Sequence, residues 1–390
     1  MRAVTRLRAE KRLDMNNAFA IVYAKQGDPQ LRELVELRSV AALPFAGRYR
    51  MIDVILSNLT NSGVRSVGLI TQRNYKSLID HIGSGKEWNL SKKVGGLMIL
   101  PPYDLAVGND LYQGLPDALF SKRDYIEHQR WRYCLLIATD KVYRQDFNAM
   151  MDKHIESGAD ITVLYSRKES LKHDDTGSTY YFQMDGDEVV GMSANGEGPG
   201  DVVANLGASI MDKELLMRLV EDTCADGLYN FDMDLLARNI GKYKVVGIEH
   251  EGYVGPISSV KTYFDLNTDM LNPDIRNELF DPEFPIYTKT HDSPPSLFES
   301  GCDADNSLFG NGCTVKGKVS NSIVFRGVQI DEDADIDNCI IMQNSHIGAG
   351  AKLRNMIIDK DAVIEPGARC MSVPYNPAIV RKGAVVEGTR

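Results

Sequence analysis

Long apolar runs are missing from these 390 residues, and no stretch approaches the roughly twenty that a membrane-spanning helix requires. A cationic excess is missing too. Lys and Arg number 44 against 54 Asp and Glu, a formal charge of −10, and this argues against a nucleic-acid partner. Small anionic ligands are not excluded, because they need only a local group of Arg, Lys and backbone amides. Cysteine is sparse and unpatterned: Cys134, Cys224, Cys302, Cys313, Cys339 and Cys370 lack the paired spacing of a zinc site or a disulfide framework. A reducing cytoplasm is therefore the expected location. Residues 1–14 carry Arg2, Arg6, Arg8, Lys11 and Arg12 but no apolar segment, so they are expected to be an N-terminal extension and not a secretory signal.

What is present is α/β patterning over most of the length, and a chain this long is expected to hold two domains or more. AFAIVYA from Ala18 reads as an apolar strand, RMIDVILSNLTNSG as a helix and SVGLITQ as the next strand. YCLLIATD, FNAMMDKHIESG and DITVLYSR continue the alternation. Such strands predict a mostly parallel, Rossmann-like sheet covered on both faces. Ligands gather at the carboxyl ends of such strands, which is where Ala138, Thr139 and Asp140 fall.

The texture changes near residue 290, where HDSPPSLFESG is rich in turn formers. Beyond it the chain repeats with a 17-residue period: Ile330, Ile347 and Ile364 fall in register, as do Ala334, Ala351 and Ala368, then Ile336, Leu353 and Cys370, then Ile341 and Ile358, then Asn338 and Asn355. Aliphatics five or six residues apart suit a triangular parallel β-helix, not an α-helix. An irregular β-sandwich is the alternative. The expected division is an extension at 1–14, an α/β domain at 15–270, a linker at 271–300 and a β-helix at 301–390.

Several blocks then occur in order: LRSVAALPFAGRYRMIDVILSNLTNSGVRSVGLITQ at 37–72, DLYQGLPDALFS at 110–121, IATDKVYRQDF at 137–147, then NLGASIM, FDMDLL and YVGPISSVKTYFDLNTDML. Together they resemble the ADP-glucose pyrophosphorylase family from Met15 nearly to the end. The resemblance implies a nucleotidyltransferase domain followed by a left-handed parallel β-helix. It also implies attack of a glucose 1-phosphate oxygen on the α-phosphate of ATP, a reaction that depends on positioning and on neutralising charge, with Mg2+ as the metal.

Measured against the family pattern, the charge-neutralising parts are replaced. The glycine-rich loop G-G-x-G-x-R-L falls on Lys25, Gln26, Gly27, Asp28, Pro29, Gln30 and Leu31. Asp28 brings a negative charge, Pro29 removes an amide donor, and Gln30 stands where the arginine belongs. The lysine of R-A-K-P falls on Val40, and the glutamate and lysine of F-V-E-K-P fall on Ala194 and Asn195. The block with the second metal-binding carboxylate is replaced by Tyr253, Val254, Gly255, Pro256, Ile257 and Ser258, so no metal site is expected and Mg2+ is implied only for residual activity.

Other positions survive. By the resemblance, Asp140 matches the metal-binding and catalytic aspartate, Gln72 the glutamine that contacts adenine, and Tyr112, Gly114 and Asp117 the nucleotide and sugar pocket. A turn-capping role is the alternative for Asp140, and ordinary packing for Gln72 and Tyr112. Arg38 and Arg50 match an anionic effector site, to which Arg381 and Lys382 are candidate additions; solvated surface charge is the alternative. Pro44 stands where some relatives carry a histidine. The resulting expectation is a regulatory subunit, catalytically weak or silent, that joins a catalytic paralogue in a heterotetramer, forms a homo-oligomer alone and takes a phosphorylated effector. An active enzyme with substituted residues is one alternative. A β-helix acyltransferase relying on His346 is another.

Overall fold

The computed structural model describes residues 17–24, 29–102, 112–168, 171, 179–194, 196–197 and 201–388. The expected extension lies outside them. The chain forms two compact units: Val54–Val254 with the first strand and Phe284–Tyr287 make one, and the residues before Val54 from Pro29, Gly255–Glu283 and the chain from Thr288 make the other. Among the described residues no helix is long and apolar enough to cross a membrane.

The first unit is built on a nine-stranded sheet of β1 (Ala18–Tyr23), β2 (Ser66–Ile70), β3 (Gly96–Leu100), β4 (Tyr133–Ala138), β5 (Ile161–Ser166), β6 (Tyr181–Asp185), β7 (Glu188–Ser193), β8 (Asp201–Asp212) and β9 (Val245–Glu249), in the order β3-β2-β1-β4-β8-β5-β9-β7-β6. The β3-β2-β1-β4 half is parallel, in keeping with the β-branched, wholly apolar strands AFAIVY and YCLLIA. The twelve-residue β8 then runs antiparallel to both β4 and β5, so the sheet becomes mixed beyond β4. Helix termini follow local chemistry. Asp146 caps Phe147–Ser157 by accepting the Asn148 N–H, and Gly158 closes that helix at φ 61°. Asp212 ends β8 and caps Lys213–Ala225 in the same residue.

In the second unit three parallel sheets of six, five and five short strands form a left-handed parallel β-helix. Its register reproduces the repeat columns: Ile330 pairs with Ile347 and Ile347 with Ile364, Ile336 with Leu353 and Leu353 with Cys370, Ile341 with Ile358. All of these side chains are buried, each isoleucine contributing about 1.5–3 kcal/mol over an exposed one. The last coil bulges outward around Val373 and Asn376, so Ile358 pairs with Val380 and Ile364 with Val386.

Within the stretch expected as a linker lie a helix, Pro273–Leu279, and the first solenoid strand, Leu297–Phe298. The early segment joins the same unit through specific bonds. Tyr263 Oη donates to the Pro44 carbonyl at 2.8 Å, and Asn267 Oδ1 accepts the Ala46 N–H at 3.1 Å. Arg38 reaches Asp359 on the solenoid, a contact spanning 321 residues.

Candidate functional site

At the carboxyl ends of β1, β2 and β4 the first unit holds a cavity of about 580 Å³, the size range of small-molecule sites. Asp140 enters it from the turn after β4, and Gln72 from the turn after β2. The bulge of β8 against β5, between Asn205 and Ser209, turns Asn205 and Gly207 toward the same space. Gly207 sits at φ 73°, and a β-carbon there would lie 2.9 Å from that of Ala138. Gly114 is required by close approach: a β-carbon would fall 1.9 Å from the Tyr229 carbonyl oxygen.

The far wall is a hydrogen-bonded turn. Asp234 Oδ2 accepts the N–H groups of Tyr229 and Asn230 at 3.2 and 2.9 Å. Asn230 Oδ1 caps the N–H groups of Asp232 and Met233, and its amide donates to Tyr180 Oη at 2.6 Å. Asn205 Nδ2 donates to Asp232 Oδ1 at 2.8 Å, which ties this turn to β8.

Charge distinguishes the cavity. Asp140, Asp232 and Asp234 are its described acids, and Lys141 is its described cation. That lysine is buried, with Nζ 3.6 Å from Asp140 Oδ1. Burial first and the Asp140 charge second push the nearby Tyr143 hydroxyl well above the usual phenol range. The donor set does not fit the Mg2+ implied by the resemblance. Asp140 faces an ammonium, Asp232 takes an amide and Asp234 takes two backbone N–H groups, so each of these carboxylates is already engaged within the protein.

Of the residues singled out in the sequence, Gln72, Tyr112, Gly114 and Asp140 line this cavity together. Gln72 is buried and donates its amide to Tyr23 Oη, while Tyr112 Oη donates to the Pro101 carbonyl at 3.2 Å. Asp117 is not among the lining residues; its carboxylate accepts the Gln113 N–H at 3.0 Å and steadies the start of Leu115–Ser121. Lys25, Gln26, Asp28 and Asn195 lie outside the described residues, and Ala194 is exposed. Gln30 and Val40 belong to the second unit, where Gln30 is exposed and Val40 is buried in a 3-10 turn. Tyr23, Lys141, Asn205, Asp232 and Asp234 were not singled out. The signal was available for four of them, in the quoted blocks IATDKVYRQDF, NLGASIM and FDMDLL.

The four cations expected to share an effector site are distributed within the second unit. Arg38 is buried and held by both Asp359 oxygens, at 2.8 and 2.7 Å. Arg381, well exposed, lies 3.1 Å from Glu36 and 3.7 Å from Glu33, and Lys382 lies 3.8 Å from Asp361. Lys360, which the sequence did not single out, feels the charge of three of these four cations. Its pKa is pushed down to about 7, by burial first and then by Arg50 and Arg38, with Lys382 adding to them and Asp359 opposing. Arg50, Arg38 and Lys382 therefore all oppose the charge of this half-buried lysine, which Asp359 favours.

Comparison with known proteins is consistent with both halves of this architecture. Residues 29–191 match the family described as Nucleotidyl transferase, and 296–376 match the GlmU-like, C-terminal hexapeptide family. The chain is 32% identical over 307 residues to a glucose-1-phosphate adenylyltransferase of Halalkalibacterium halodurans, covering 77% of this chain and 79% of that protein. From Geobacillus stearothermophilus, a glucose-1-phosphate adenylyltransferase is 30% identical over 319 residues, 81% of this chain and 82% of the relative. A second protein of that organism, the glycogen biosynthesis protein GlgD, is 34% identical over 319 residues, 82% of each.

Proposed function

The chain belongs to the glucose-1-phosphate adenylyltransferase family, and we propose that within it the protein is a regulatory, catalytically weak or silent subunit of glycogen biosynthesis in the cytoplasm. The charge balance of the cavity carries this reading: among the described residues Asp140, Asp232 and Asp234 stand against Lys141 where the reaction must gather a triphosphate and a sugar phosphate. Replacement of the family's glycine-rich loop at 25–31 and of its lysine at Val40 supports the same conclusion. Each missing cation is worth a few kcal/mol in the transition state, so two of them lower turnover by several orders of magnitude.

In this reading the subunit assembles with a catalytic paralogue as a heterotetramer and forms a homo-oligomer alone. It modulates the partner through an anionic effector at the Lys360 cluster. His346, on which acyl transfer would depend, has Nε2 2.8 Å from Asp331 Oδ2.

The test is pyrophosphate release from ATP, glucose 1-phosphate and Mg2+ by the purified chain, by a catalytic paralogue and by their mixture, with the mass of each measured. The expected result is a rate at least about 10³-fold below the paralogue for this chain alone, and a mixed tetramer with altered activity. ADP-glucose formation by this chain alone at the paralogue's rate would overturn the proposal.

A further inference from the structure

A cavity whose described lining sets three carboxylates against one ammonium discriminates among ligands by charge. The cavity of the first unit is lined by the aromatic residues Tyr23, Tyr112, Tyr180, Tyr229 and Phe231. Asn205, Asn230, Asp140, Asp232, Asp234 and Lys141 belong to the same lining. Flat apolar faces edged by hydroxyl groups suit the C–H faces of a pyranose. Carboxylates accept hydrogen bonds from hydroxyl groups, and amides both donate and accept. A phosphate brings two further negative charges into a space whose described lining carries more acid than base.

We propose that this cavity binds an unphosphorylated saccharide in preference to a sugar phosphate or a nucleotide. The inference rests on the reading that the chain does not turn over ATP. A nucleoside is disfavoured by a separate observation. The Gln72 amide, at the position that resembles the adenine-contacting glutamine, already donates to Tyr23 Oη. That bond occupies one of the two amide hydrogens and ties the side chain to Tyr23, so turning Gln72 toward a base edge would cost this contact. The far wall of the cavity is built more firmly. Asp232 is fixed by Asn205 at 2.8 Å, Tyr180 is held by Asn230 at 2.6 Å, and the Tyr229 backbone is anchored by Asp234. Preorganised polar groups of this kind reduce the ordering cost of binding a small neutral ligand.

Isothermal titration of the full chain with methyl α-D-glucopyranoside, maltose, glucose 1-phosphate, adenosine and ATP tests the proposal, with thermal melting as a second readout. Saturable binding is expected for at least one of the two neutral sugars. Glucose 1-phosphate is expected to bind at least about tenfold more weakly and to gain affinity as salt screens the acids. Tyr229→Ala is expected to weaken the neutral sugar. Asp232→Asn is expected to narrow the ratio between neutral and phosphorylated sugar, and a melting curve for each variant separates lost binding from lost folding. Tighter binding of glucose 1-phosphate or ATP than of either neutral sugar overturns the proposal, as does binding of adenosine alone or of none of the probes. The pyrophosphate assay keeps the two readings apart. Turnover by the isolated chain defeats the proposed function, whereas absent turnover with glucose 1-phosphate preferred defeats only the saccharide site.

Discussion

One terminal nitrogen of Arg38 donates to both carboxylate oxygens of Asp359, at 2.8 and 2.7 Å, and neither side chain is more than about 4% exposed. An ion pair this dry owes its value to its completeness, because desolvating either charge alone is costly. Arg38→Met or Asp359→Leu alone is therefore expected to cost about 3–5 kcal/mol, since each leaves the other charge uncompensated. The double variant Arg38→Met with Asp359→Leu is expected to recover most of that loss. Urea unfolding of the four proteins as a double-mutant cycle measures the coupling, and additive losses would contradict it.

Lys360 predicts a pH dependence of stability. In the folded protein its proton leaves near pH 7, whereas the ordinary lysine value is 10.5. Between those values the unfolded chain binds more protons, so the Lys360 contribution to stability rises with pH across this window. Below about 7 both states are charged and the native state bears the full strain of the cluster. A bound sulfate or phosphate relieves it, so either ion is expected to raise Tm more at pH 6 than at pH 8.5. Lys360→Met is expected to flatten the dependence and remove most of the anion effect. Equal anion stabilisation at both pH values would contradict this.

The corner asparagines give a prediction of another kind. Asn338 and Asn355 occupy left-handed backbone at φ 52° and 55°, and Asn338 Nδ2 donates to Asn355 Oδ1 at 2.7 Å in the next coil. Asn338→Val is expected to cost about 1–2 kcal/mol from backbone strain alone, and the lost ladder bond adds to that. Asn338→Gly keeps the backbone accessible and is expected to cost less. Thermal melting of both variants distinguishes strain from hydrogen bonding.

These asparagines also mark how far the sequence could be read. Asn338 and Asn355 repeat in register because each coil makes the same turn, so the solenoid was legible as a period. The parallel strands around β1 were legible as continuous apolar runs. The direction of β8 was not, since an apolar strand buried on both faces looks alike in either orientation. Contacts such as Arg38 with Asp359 have no local signature, because 321 residues separate the partners. Asp140, Gln72, Tyr112 and Gly114 were found through the blocks around them. Lys141 and Lys360 were not, because a lysine in sequence reads as solvated surface until its burial is known.

Val40 bears on whether this chain could be returned to catalysis by substitution. A lysine at that place is the family pattern, but here the valine is 2% exposed, within a 3-10 turn whose three residues are all buried. Val40→Lys must either bury an ammonium or pull the turn open, and a loss of about 2–4 kcal/mol is expected. Gln30, by contrast, is exposed, so Gln30→Arg is expected to change stability by less than about 0.5 kcal/mol. Restoring that arginine leaves the acids of the cavity in place, so pyrophosphate release by Gln30→Arg is expected to remain far below that of a catalytic paralogue. Urea unfolding of the two variants tests the packing claim. A Val40→Lys protein as stable as the parent would mean that the turn accepts a charge, and a Gln30→Arg protein with family-level turnover would mean that one cation suffices.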